Sequence, residues 1–100
     1  MVKEAFVRCI VDFSPMKSSK DLERQLKFLK EAEKIFGESF SCADENTWIL
    51  EAFIGDYEEN QASDFEDLVL HYYRSIVDSA CYSVYYLEEP QEDFGWQNDD

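Results

Sequence analysis

Between Glu4 and Phe13 the side chains alternate, with Ala5, Val7, Cys9, Val11 and Phe13 set against Phe6, Arg8, Ile10 and Asp12. That two-residue period predicts a strand, and Ser14-Pro15 ends it. The period then lengthens. From Ser18 or Ser19 as cap to Gly37 as stop, Leu22, Leu26, Leu29, Ala32 and Phe36 recur at helical spacing, with Glu23 and Lys27 placed as an (i, i+4) ion pair. Residues 38–57 read as a hairpin: a short strand carrying Phe40 and Cys42, a turn at Ala43-Asp44-Glu45-Asn46, then the long apolar strand TWILEAFIGDY. A second helix is predicted from Ser63, which forms a capping box with Glu66, and its buried stripe is Phe65, Leu68, Val69, Tyr72, Ile76 and Ala80. The opposite face of that helix carries Asp64, Asp67, His71, Arg74 and Asp78, a charged ladder that reads either as solvated surface or as a contact stripe. CYSVYYLE, residues 81–88, alternates again, Pro90 stops it, and QEDFGWQNDD trails behind.

The resulting order is βαββαβ. It predicts an α+β fold of the ferredoxin-like kind, a four-stranded antiparallel sheet with two helices on one face. In that topology the first and third strands are central, and they are the two with the longest apolar runs. One domain over residues 1–90 and an acidic C-terminal tail over 91–100 account for the chain. With 45% hydrophobic and 16% aromatic residues, the composition is that of a folding domain rather than a disordered one.

Charge changes the picture more than composition does. The formal net charge is −14, beyond the magnitude of about 2 to 8 that keeps a small domain soluble. The charge is also localised. Residues 1–43 hold seven acids and eight bases, whereas residues 44–100 hold sixteen acids and only Arg74 as a base. A halophilic surface would be acidic throughout, so this segregation points to one acidic surface made for a basic partner. Direct binding to nucleic acid is disfavoured by the same repulsion.

Candidate chemistry is sparse. Paired catalytic carboxylates need environments that drive their pKa values apart, usually by burying one, and the acids here fall in turns, on solvent faces and in the tail. A cysteine nucleophile needs an electropositive setting and a base such as His71; Cys9 and Cys42 instead occupy inward strand positions and read as buried thiols. A Cys3His zinc set from Cys9, Cys42, Cys81 and His71 lacks the close ligand pairs of such sites, and there is no phosphate-binding glycine loop. The expectation is therefore a non-enzymatic protein with no cofactor and no metal. Three unpaired cysteines, no signal-peptide core and no long apolar run imply a reducing cytoplasm, that of the host cell if the gene is phage-borne, and no membrane span.

Two surfaces remain as candidates. The acidic one comprises Asp44, Glu45, Asp56, Glu58, Glu59, Asp64, Glu66, Asp67, Asp78, Glu88, Glu89, Glu92 and Asp93. The apolar one is the sheet face turned away from the helices, with Phe6, Ile10, Ile49 and Phe53 and, from the tail, Phe94 and Trp96. An exposed patch of that kind marks an interface, and three readings stay open for it: homodimerisation, cover by Phe94 and Trp96 folding back, or partner binding.

The run GDYEENQASDFEDL, the segment LEEPQEDFGWQNDD and the ferredoxin-like order together resemble small acidic inhibitor proteins: phage anti-CRISPR and anti-restriction proteins that imitate nucleic acid, and bacterial toxin-immunity proteins. A weaker resemblance, on the acidic ends and Gly95-Trp96, is to regulator-B type inhibitors of RNase E. The resemblance implies an inhibitor acting as a nucleic-acid mimic on the basic groove of a nuclease or CRISPR effector. The alternative is a dimeric regulator or adaptor, such as an immunity protein or RNase regulator, working through the apolar sheet face.

Overall fold

The computed structural model describes residues 3–86 and 92–97. Its elements are β1 (Lys3–Phe13), α1 (Ser19–Phe36), β2 (Ser41–Cys42), β3 (Thr47–Tyr57), α2 (Glu59–Tyr72), β4 (Val77–Tyr86) and β5 (Glu92–Gln97). The fold is α+β: a five-stranded antiparallel sheet in the order β2-β3-β1-β4-β5, with both helices packed on one face. Among the described residues no helix is long and apolar enough to cross a membrane.

β1 lies at the centre because its alternation supplies two faces. Ala5, Val7, Cys9, Val11 and Phe13 are buried under the helices, and both of its edges are paired, with β3 and β4. Leu50 and Ala52 of β3 and Ala80, Tyr82 and Val84 of β4 continue the buried face. Phe28 of α1 is fully buried among Phe13, Phe65 and Tyr72, with ring centroids 5.6, 6.3 and 5.6 Å away. The two helices are also joined directly by Gln61 Nε2, which donates to the Ile35 carbonyl at 2.9 Å.

The ends of α1 follow the predicted signals. Ser18 Oγ accepts from the Asp21 N–H, and Gly37 closes the helix at φ 70°, a left-handed position where glycine carries no Cβ penalty. Its buried stripe, however, is rotated. Gln25, Phe28, Leu29, Ala32 and Phe36 face the core, while Leu22 and Leu26, expected inside, are each 49% exposed. A stripe drawn through the leucines leaves Phe28 outside it; packing favours burying the larger ring.

Four further expectations are corrected. α2 begins at Glu59 rather than at Ser63: the Glu58 N–H donates to Gln61 Oε1 at 3.0 Å, so the capping contact lies one turn earlier. It ends at Tyr72 because Arg74 adopts φ 67° and the N–H groups of Ser75 and Ile76 turn back to the Tyr72 carbonyl. Ile76 and Ala80 therefore continue the core from a turn and from β4, and His71, Arg74 and Asp78 do not form one helical ladder. Cys42, expected inside, is exposed on the two-residue edge strand β2. Finally, the sheet has five strands, not four: Glu92–Gln97, read as part of a tail, pairs with the outer edge of β4 from Ser79↔Gln97 to Val84↔Glu92. An unpaired strand edge leaves a row of backbone donors and acceptors that a following strand can satisfy.

Candidate interaction surface

α2 is the element where the acidic charge gathers. Its inner stripe is Phe65, Leu68, Val69 and Tyr72, which leaves the rest of the helix circumference for its carboxylates. Glu59, Asp64, Glu66 and Asp67 are all exposed, as are Asp56 and Glu58 just before the helix. Among the described residues none of these six carboxylates is held in an ion pair; the Arg8–Glu51 pair, 3.9 Å across the open sheet face, involves none of them.

The four on the helix divide by flank. Asp64 and Asp67 face the groove between the helices, which they line with Glu31, Ile35, Leu68 and His71. Glu59 and Glu66 look the other way, over the end of the sheet. α1 contrasts with this. Its outer surface presents Lys27, Lys30 and Lys34 together with Glu23 and Glu31 around Leu26, so the helix layer is of mixed charge on one side and acidic on the other.

Not every predicted acid joins this group. Asp44 and Glu45 sit in the β2–β3 turn, where Asp44 Oδ1 accepts the Glu45 N–H at 2.6 Å. β3 is eleven residues long and separates them by roughly 30 Å from Asp56 at its far end. Asp78 lies near the start of β4, at the Asp44 end of the sheet. Glu92 and Asp93 pair through their backbones with Val84 and Ser83; Glu88 and Glu89 lie outside the described residues.

The open sheet face carries the other candidate set, in cross-strand rows. Phe53, Phe6 and Tyr85 form one row, with the Phe6 and Tyr85 rings 6.1 Å apart and Phe53 63% exposed. Glu51, Arg8 and Ser83 form the next, and Ile49, Ile10 and Cys81 the third. The last row is polar: Asp12 accepts hydroxyl hydrogen bonds from Thr47 and Ser79, joining three strands. Trp96 does not belong to this face. Its ring packs on the helix side, 6.2 Å from Phe65 at the margin of the core, so it does not fold back over Phe6 and Phe53. Of Phe94, only the backbone pairing with Tyr82 is described.

The sequence reading missed one feature. Trp96, Tyr57 and Tyr86 meet Glu59, Ser63 and Glu66 around a cleft of about 350 Å³ between the first half of α2 and the end of the sheet. The residues come from four elements, and only the pairing of β5 brings Trp96 there. The alternation within EDFGWQ was the available signal, and the density of acids around it masked it.

Two other groups bear on chemistry. Cys9 is buried, and that burial, reinforced by the charge of Cys81 nearby, pushes its thiol pKa far up, which removes it as a nucleophile. Tyr82 is likewise pushed up by burial and by its hydroxyl contact with Tyr57, 2.8 Å away. Among the described residues no three His, Cys, Asp or Glu side chains converge so as to hold a metal ion.

These features define an α+β two-layer protein with an acidic helix on one layer and a partly apolar open sheet on the other. No protein-family model matches the chain, and no match was found among curated proteins or solved structures.

Proposed function

We propose that the protein is a non-enzymatic inhibitor that presents α2 and its approach to the basic nucleic-acid-binding surface of a nuclease or CRISPR effector, in place of nucleic acid. The supporting observation is the set of unpaired, exposed carboxylates on one short helix. From Glu59 to Asp67 the helix rises about 12 Å and carries four of them. One strand of DNA places a charge about every 3.4 Å, so the linear density of this helix, counted over both flanks, is close to that of a single strand. Lysine and arginine side chains arranged for phosphates accept carboxylates through the same charge-assisted hydrogen bonds, and a dense acidic field accelerates encounter.

The fold is compatible with this reading. We read the elements through β4, with strand order 2-3-1-4, as a ferredoxin-like βαββαβ unit, and β5 as an addition that widens its sheet. The test is capture from a nuclease-treated bacterial lysate. A basic nucleic-acid-binding protein, released by duplex DNA and by a few hundred millimolar salt and lost on combined D64K, E66K and D67K substitution, is the expected result. Full-strength capture by that folded variant would refute the proposal.

A second reading rests on Phe53, whose ring is 63% exposed at the end of the Phe53–Phe6–Tyr85 row. On that reading the protein is a dimeric regulator joined through its open sheet faces. Sedimentation of a dimer that F53D converts to monomer, with capture unchanged by acid reversal, would favour it over mimicry.

A further inference from the structure

We infer that the cleft bounded by Tyr57, Tyr86, Trp96, Glu59, Ser63 and Glu66 is a receptor for one arginine side chain of the basic partner. The inference rests on the acidic-surface reading for what carries the arginine, and on the cleft alone for how it is held.

The lining combines two chemistries that recognise organic cations. Trp96 is half-buried and lines the cleft together with Tyr57 and Tyr86, and aromatic faces attract a guanidinium or ammonium group. The rings are held in place. Tyr57 stands edge-on to Tyr86 at 5.8 Å with its hydroxyl against Tyr82, and Trp96 stands edge-on to Phe65. A stacking surface fixed before binding loses little freedom on binding. Among the described residues no lysine or arginine lines the cleft to compete for the carboxylates.

Carboxylate spacing selects among cations. Glu59 and Glu66 are seven residues apart on the same flank of α2, about 10 Å along the helix axis, with Ser63 between them. That spacing lets them meet a bound group from opposite ends. A planar guanidinium with five N–H donors spans two such acceptors while its face stacks on an aromatic ring; a compact ammonium presents three donors around one point. Tetramethylammonium would use the rings but could donate to neither carboxylate.

The experiment uses the full chain, 15N-labelled, and follows the indole N–H signals of Trp48 and Trp96, assigned by the loss of one signal in W96F. N-acetyl-arginine methylamide is titrated in parallel with the citrulline and lysine analogues and with tetramethylammonium. The expected result is a saturable shift of the Trp96 signal alone, with the arginine amide binding tighter than the lysine analogue and the neutral citrulline amide not binding. The E59Q/E66Q variant should bind the arginine amide about tenfold more weakly, a difference of about 1.4 kcal/mol, while retaining the wild-type spectrum elsewhere. No saturable shift into the tens of millimolar, an equal response to citrulline, or tighter binding of lysine or tetramethylammonium would overturn the inference. Failure of the two proposals is distinguishable. Arginine-amide binding alongside capture that survives D64K/D67K, which leaves both cleft carboxylates in place, sinks mimicry and keeps the cleft; the opposite pattern sinks the cleft alone.

Discussion

If the acids of α2 are retained for a partner, removing their charge should make the isolated protein more stable. The double substitution D64N/D67N isolates that effect. Asp64 and Asp67 are one turn apart on α2 and line the inter-helix groove together with Glu31. Like charges at this helical spacing destabilise by about 0.2–0.5 kcal/mol, and Glu31 across the groove adds repulsion of similar order. Neither aspartate lies in the first turn, where the helix dipole would reward it. Asparagine and aspartate have nearly equal helix propensity, so the change in charge dominates. The double variant should gain roughly 0.5–1 kcal/mol, which for a chain of this size raises the melting temperature by about 2–8 °C. Thermal unfolding followed by circular dichroism at about 10 mM salt, where the Debye length is about 30 Å, should show the full gain. At about 1 M salt, where that length is about 3 Å, most of it should vanish. The same variant should capture its partner more weakly, chiefly through slower association, the usual trade of stability against function. A variant that melts at or below the wild-type temperature in low salt, or whose gain survives high salt, would refute the reasoning.

F28A should destabilise by about 3–5 kcal/mol, because Phe28 is fully buried among three aromatic rings, and a shifted urea midpoint will report it. Stability should also fall in alkali. Burial holds the Cys9 and Tyr82 pKa values above their ordinary 9.0 and 10.0, so below pH 9 both states keep these protons, and above it only the unfolded state releases them. Each such group contributes a loss approaching about 1.4 kcal/mol per pH unit, and C9A should lessen the slope of stability between about pH 9 and 10. Maleimide should label the exposed Cys42 and Cys81 in the native protein and Cys9 only after unfolding, as counted by intact mass. Rapid native labelling of Cys9 would contradict its burial.

Where residues interact with near neighbours in the chain, the sequence was informative. β1 and β3 were legible from their period and apolar length, and α1 from Ser18 and Gly37, because strand alternation and helix caps are set within a few residues. The concentration of charge beyond residue 43 was legible too, since it is a property of the chain alone. Tertiary contacts decided the rest. Which stripe of α1 faces inward depended on the pocket that Phe13, Phe65 and Tyr72 form around Phe28. The end of α2 is hidden in the sequence because Ile76 and Ala80 happen to continue its spacing; the left-handed backbone at Arg74 breaks the helix, and a strand begins four residues sooner than its alternation predicts. β5 exists because β4 offers an edge to pair with, a long-range event that the alternation within EDFGWQ is compatible with but does not place, and it carries Trp96 to the helix side of the sheet. The partition of the acids has the same origin. Asp44 and Asp56 are twelve residues apart in the chain, and because an extended strand runs between them they stand at opposite ends of the fold, whereas helix formation draws Glu59, Asp64, Glu66 and Asp67 onto one short helix, two on each flank.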